Sequence, residues 1–316
     1  MSKYLNVFNT LAEYQAFSAS TEYTTPNVAL VTETNVIYYD YGDNKPQADM
    51  SDYKVESQET SVGGDKYGKD AITKINYIPS GITSLNSAFS NLKSLEEVTC
   101  ELPSGVTSMD STFSDCTSLV NAPEIPNSVT DMNSTFYNCK SLITAPNIPS
   151  SVTSMDSTFS DCTSLVNAPN IPSSVTSMDS TFNSCSSLVT APVIPDTVTS
   201  MSNTFTHCSS LITAPEIPSG VTDIDFTFYN CSSIINAPSV IPSVVTNMKS
   251  TFFWCANIKE LTFLMITPPT YQDTLYRCSK LESIYVPDEA VDAYKTATGW
   301  SEFASKFKPL SSKPTA

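Results

Sequence analysis

The sequence predicts a β-rich solenoid of about nine coils of about 23 residues, with short strands and helical turns, a small α+β segment before it and a helical cap behind it. Three observations predict it: one aromatic, thiol and aliphatic register recurs along most of the chain, Pro is plentiful where Gly is scarce, and the pattern changes at both ends. Aligning on the Phe of the recurring S-T-F gives Phe89, Phe113, Phe136, Phe159, Phe182, Phe205, Phe228 and Phe252, with Leu275 in the same place in the last unit. The intervals are 24, 23, 23, 23, 23, 23, 24 and 23 residues. The consensus is V-T-x-M-x-x-T-F-x-x-C-x-S-L-x-x-A-P-x-I-P-x-x. Cys116, Cys139, Cys162, Cys185, Cys208, Cys231, Cys255 and Cys278 fall three residues after the Phe position, and an aliphatic from Leu95 to Leu281 falls six after it.

Within a unit, V-T-x-M has the alternation of a short strand, and the polar residues after it mark a helical turn. Asp110, Asn133, Asp156, Asp179 and Asp225 directly follow the Met position, where a side-chain oxygen caps the free amides of that turn. S-L-x-x-A forms a second strand, and A-P-x-I-P is extended because Pro fixes φ and disfavours helix before it. Val, Met, Phe, Cys, Leu, Ala and Ile of each unit face inward. One unit buries too little apolar surface to fold alone, so units must stack, and nine of them at a strand spacing of about 4.8 Å give a rod of roughly 43 Å.

The array runs over residues 71–282, followed by a cap and tail over 283–316, in which Val291, Tyr294, Trp300, Phe303 and Phe307 predict an amphipathic helix or two across the open end. Residues 1–40 hold an acidic amphipathic stretch, Thr10 to Ser18, and then a hairpin with its turn near Thr34 and Asn35. Residues 41–70 are rich in Asp, Ser, Lys, Gln and Gly, and read as a linker or long loop.

Composition excludes several function classes. The 316 residues are 40% hydrophobic, enough for a packed interior, and carry 16 Lys+Arg against 32 Asp+Glu, a net charge of -16. With Arg277 the only Arg, nucleic acid and anionic membrane are poor partners. The first residues lack the apolar run of a signal peptide, so the chain is expected to be made in the cytosol, with its nine Cys reduced. Eight Gly against 21 Pro exclude collagen and the Gly-rich calcium-binding β-roll.

The unit V-T-x-M-x-x-T-F-x-x-C-x-S-L resembles the BspA-like leucine-rich repeats of surface proteins from gut and oral bacteria and their phages, over about residues 72–285. The terminal S-I-Y-V-P-D-E-A-V-D-A-Y-K-T-A-T-G-W-S-E-F resembles that family's closing cap. A-P-x-I-P replaces the plainer aliphatic strand of many members, which implies a shorter sheet there. The string A-E-Y-Q-A-F followed by T-P-N-V-A-L-V-T-E-T-N-V-I-Y-Y is similar to the N-terminal segments of virion proteins of crAss-like phages of Bacteroidales.

Candidate sites come from the rows that stacking creates. Equivalent Cys are near enough for disulfides, but their parallel Cβ vectors favour buried reduced thiols. Asp110, Asp156 and Asp179, with Asp115 and Asp161, invite a calcium or carboxylate-pair reading, yet Asn and Ser interrupt both rows, and capping accounts for them. His207, in the place of an Asp or Asn, reads as ordinary surface. Val120, Ile143, Val166, Val189, Ile212 and Ile235 follow the inward aliphatic, and Asn121, Thr144, Asn167, Thr190, Thr213 and Asn236 come next. These two rows form either an outward binding stripe or a bend that is partly internal. Tyr229, Phe253, Trp254 and Tyr276 gather around the turn of the last units, where rings stack on sugars or, the more ordinary outcome, pack beneath the cap.

Together these readings lead to an expectation of a non-enzymatic phage virion protein of decoration or capsid-fibre type. It would attach by residues 1–40 to other virion proteins and project the array toward a host-surface protein or glycan. The resemblance implies assembly in the host cytoplasm, exposure on the particle and a homo-oligomer, a trimer by analogy. No cofactor, metal, nucleic acid or membrane insertion is expected. The alternatives are a bacterial cell-surface leucine-rich-repeat adhesin and, more remotely, a glycan depolymerase.

Overall fold

A computed structural model describes residues 3–8, 27–31, 36–40, 72–78 and 82–314. The acidic stretch Thr10 to Ser18, the turn at Thr34 and Asn35, and the linker 41–70 lie outside the described residues. The backbone builds one five-stranded sheet at the start, in the order β3 (Val36–Asp40), β2 (Asn27–Val31), β1 (Lys3–Phe8), β4 (Ile72–Tyr77), β5 (Glu97–Val98). β2 and β3 pair antiparallel, Val31 opposite Val36, whereas β1 runs parallel to both β2 and β4. The N-terminal strands therefore continue the hydrogen-bond ladder of the first coil.

From Ser84 onward the coils build two parallel rows. One bridges Ser84, Ser108, Asp131, Ser154, Ser177, Ser200, Asp223 and Asn247 in succession, and the other bridges Asn121, Thr144, Asn167, Thr190, Thr213 and Asn236. The expected strands shrink here to single bridges, because Pro on one side and the turn on the other leave no longer extended run.

The turn itself corrects the expected helical geometry. Ser111 and Asp115 have φ of 55° and 61°, and the same left-handed pair, four residues apart, recurs in each following coil down to Asp273 and Arg277. A left-handed residue at every fourth position interrupts an α-helix and leaves a run of β-turns. Successive amides then point alternately to the chain's own coil and to the next. Thr112, Ser114 and Cys116 N–H donate to the Met109, Ser111 and Phe113 carbonyls, while Ser111, Phe113 and Asp115 N–H donate to Asn133, Thr135 and Tyr137 at 2.8–2.9 Å. The side chains expected to cap this turn mostly cap the next coil's. Asp156 Oδ1 accepts from Ser177 Oγ at 2.5 Å and from Asp179 N at 3.0 Å, and Asn133 Oδ1 does the same for Ser154 and Asp156.

The core is one column. The Phe rings from Phe89 to Phe252 are fully buried and stack at centroid distances of 5.3–5.9 Å. Each Cys thiol from Cys116 to Cys278 donates to the Phe-position carbonyl of the coil before, at 2.9–3.2 Å. The Thr before each Phe, from Thr112 to Thr274, is fully buried too, and Thr135 Oγ1 lies 2.9 Å and 2.8 Å from the Met109 and Met132 carbonyls. The sequence places these hydroxyls among the polar residues of the turn; their burial is tolerated because each has a carbonyl acceptor.

At the far end β6 (Glu260–Thr262), β7 (Ser283–Val286) and β8 (Phe307–Pro309) form a parallel sheet. Among the described residues the cap contains one six-residue α-helix, α1 (Val291–Thr296), and three 3-10 segments, Asp288–Ala290, Trp300–Lys306 and Leu310–Ser312. Tyr294 and Trp300 are fully buried, and Phe263, Tyr271 and Phe307 surround them at ring distances of 5.1–6.3 Å.

Candidate functional site

Leu119, Leu142, Leu165, Leu188 and Leu211 point into the core, and the next residue in each coil turns outward. Ile143, Val166, Val189, Ile212 and Ile235 are 36–56% exposed, so the row is an outward stripe and not an internal bend. Val120, at its start, is half-buried. The stripe is held straight by amide bonds from coil to coil, such as Ile143 N–H to Val120 O at 3.2 Å and Val189 N–H to Val166 O at 3.1 Å. Beside it Asn121, Thr144, Asn167, Thr190, Thr213 and Asn236 are exposed as well. Thr190 Oγ1 donates to Asn167 Oδ1 at 3.2 Å, and Asn236 Nδ2 to Thr213 Oγ1 at 3.1 Å. An aliphatic row next to an amide and hydroxyl row at one constant repeat is a surface that excludes water along one line and offers hydrogen bonds along the next.

The stripe ends at a cleft that the sequence reading missed. No bridge among the described residues carries the row from Asn236 into the next coil, and the ladder resumes with Ile241 paired to Phe263. In this gap lies a cavity of about 260 Å³, lined by Ile235, Asn236, Ser239, Lys259, Glu260 and Lys313 among others. Lys313 Nζ is 3.2 Å from Glu260 and 2.8 Å from Thr262 Oγ1, and Glu216 clamps the Ser239 amide and hydroxyl at 2.9 Å and 2.6 Å. The available signal was the 24-residue interval between Phe228 and Phe252, where A-P-S-V-I-P holds one residue more than its neighbours.

The aromatic residues form a separate corner. Tyr229, Phe253 and Tyr276 stack in a column at 4.7 and 4.8 Å, the His207 ring meets Tyr229 edge-on at 5.3 Å, and Phe226 lies 5.8 Å from Tyr229. Trp254, 49% exposed, carries the Arg277 guanidinium 6.0 Å from its ring. Among the described residues the column rings contact one another and His207, and no ring contact joins them or Trp254 to Tyr294 or Trp300 of the cap.

The remaining candidates have structural roles. Among the described residues no three His, Cys, Asp or Glu side chains come together to hold a metal ion. The Asp residues of the Met+1 row accept the hydrogen bonds described above, and Asp115 Oδ1 accepts from Asn138 Nδ2 at 2.6 Å. Burial, the first cause, raises Asp179 and Asp225 above the ordinary carboxylate value. Burial likewise pushes the Cys278 thiol up to about 12 and Cys139, Cys162 and Cys208 well upward, which removes the thiolate that nucleophilic or metal chemistry needs. His207 is exposed, its Nδ1 3.0 Å from Asn230 Nδ2.

Stacked coils with one shared core and an outer face made of in-register rows define a solenoid repeat protein. The chain belongs to the BspA type leucine-rich repeat family, whose description matches residues 60–189 and 178–297 in six copies. Among solved structures it is similar to a leucine-rich repeat protein from Bacteroides ovatus, 23% identical over 70% of this chain and 62% of that one, with a TM-score of 0.54. That similarity supports the fold, and the chain spans less than two thirds of that protein's length. It also resembles, at lower TM-scores of 0.44 and 0.41, a leucine-rich repeat protein of T. pallidum (25% identity, 51% of this chain, 78% of that one) and a leucine rich cell surface protein of Faecalibacterium prausnitzii (21%, 78%, 81%). No curated protein matches this chain. These comparisons give the virion resemblance of the N-terminal segment no support.

Proposed function

We infer that the chain is a bacterial cell-surface leucine-rich-repeat protein that acts as a non-catalytic adhesion module, the alternative reading above, which fits the family better than a virion role. The observation that carries this reading is the outward Val/Ile stripe, five residues at 36–56% exposure set beside an exposed Asn/Thr row. A soluble chain with no partner gains nothing from an ordered apolar line in water, whereas an adhesin uses it to bury area against a partner and the adjacent row to fix register. The family relation supports display on a cell surface, the setting named for the Faecalibacterium prausnitzii protein.

The test has two arms. Antibodies to residues 86–280 should label intact cells of the encoding bacterium; signal confined to phage particles would overturn the reading. Beads carrying the protein should adhere to cultured epithelial cells and lose most of that adhesion with Val166→Asp and Val189→Asp, which leave the buried column untouched. Adhesion unchanged in the double variant would remove the stripe from the account.

A further inference from the structure

We propose that the outer corner made by Trp254, Asn230, His207 and Arg277, backed by the Tyr229–Phe253–Tyr276 column, binds an acidic saccharide, one bearing a uronate or sialate carboxylate. The inference extends surface recognition to a second site and does not depend on the stripe. It begins from backbone conformation. Trp254 and Phe226 occupy left-handed positions, at φ of 62° and 53°, where most other coils place Ser, Asn or Asp. Small polar residues tolerate this region and bulky ones do so only under strain. Phe226 is half-buried and packs on Tyr229, but Trp254 is 49% exposed and meets no other ring among the described residues, so core packing does not compensate its strain. Strain that is retained without a packing return points to function.

The geometry then narrows the ligand. The faces of Tyr229, Phe253 and Tyr276 are largely taken by one another, with His207 against Tyr229 and Arg277 5.5 Å over Tyr276. The column is thus a stiff wall, and the Trp254 indole beside it, 49% exposed with the Arg277 guanidinium over one face, offers with the 45% exposed Tyr276 ring an aromatic surface to a sugar's C–H face. Hydrogen-bonding groups share the row of the indole: at the same turn position stand the Asn230 amide and His207 imidazole of the two coils before it, paired at 3.0 Å, and the Arg277 guanidinium of the coil after it. That mix of one apolar face and several polar side chains is what a polyhydroxylated ring requires.

Charge selects the acidic class. The chain carries -16, so an anion is repelled by most of its surface. Its single Arg stands at this corner, forms no ion pair with a described residue, and lies 6.0 Å and 5.5 Å from the Trp254 and Tyr276 ring centroids, contacts that leave its N–H fork to meet a carboxylate.

Intrinsic fluorescence of the full chain reads the site, because Trp300, the other indole, is fully buried in the cap. The probes are tetragalacturonate and sialyllactose, each against its neutral counterpart, the methyl-esterified tetramer and lactose; the two acidic arms separate a uronate source from a sialate one. At least one acidic probe should change the Trp254 emission saturably and bind at least about tenfold more tightly than its counterpart, the scale of one charge-assisted contact. Trp254→Asn restores the residue type of neighbouring coils, so it should melt at or above the wild-type temperature while calorimetry shows binding weakened about tenfold or more. Arg277→Gln should bring the acidic probe down to the neutral one. The proposal is overturned if neither acidic probe binds at millimolar concentration, if neutral probes bind equally well, or if the folded Trp254→Asn variant binds like wild type.

Discussion

Phe159 shows how one side chain works twice. It is fully buried, and its ring stacks at 5.7 Å on both Phe136 and Phe182, so truncating it leaves a void that neither neighbour can fill without leaving its own coil. Phe159→Ala should therefore lower stability by about 3–5 kcal/mol in chemical denaturation; a loss under about 1 kcal/mol would contradict the column. Asp179 makes the opposite case. Its carboxylate accepts from Ser200 Oγ at 2.6 Å and Ser202 N at 3.0 Å, yet burial first, and then Asp156 and Asp223, raise its pKa above the ordinary 3.8. A pKa higher in the fold than in the unfolded chain means the ionised form is penalised by folding, fully above the folded value and not at all below about 3.8. Asn133 makes the equivalent bonds without a charge. Asp179→Asn should thus melt higher than wild type at pH 7, with the difference shrinking on acidification; an equal or lower melting temperature at pH 7 would refute the burial argument.

At the scale of elements, the legible parts were those with a residue-type signature. The Met, Phe, Cys and Leu positions identified the core because apolar side chains at one register have one destination. The turn was misread as helical since its signature is conformational: Ser111 and Asp115 are residues that favour both a helix start and a left-handed φ, and spacing alone does not separate the two. The buried Thr row was missed because a hydroxyl's burial depends on a carbonyl from another coil. The stripe residues from Ile143 to Ile235 were identified but not their orientation, and the cleft was missed because one extra residue changes the pairing of coils far more than it changes composition. In the cap, Gly299 at φ 79° turns the chain between α1 and Trp300, and a Cβ there would lie 2.6–2.7 Å from Tyr271 ring and Cβ atoms. Gly299→Ala should cost about 1–3 kcal/mol or more, measured as a lower urea midpoint; an unchanged midpoint would show that the cap does not hold Tyr271 in that position.

For the whole molecule, stability is a property of neighbours. Each coil donates amides to the next and thiols to the one before, so no coil has a complete set of hydrogen bonds or a closed interior by itself. The same stacking turns single residues into rows, which is why a stripe, a polar row and an aromatic corner arise from changes of one residue per coil. Hydrogen exchange in the middle of the array tests this most directly. Every amide from Asp156 to Cys162 has an acceptor: Asp156 on Asn133 Oδ1, Ser157, Phe159 and Asp161 on the next coil, and Thr158, Ser160 and Cys162 on their own. The account predicts that all of these amides exchange slowly, at a rate set by opening of the array, although the segment has no helix or strand. Exchange within seconds, as in a surface loop of the same length, would contradict it.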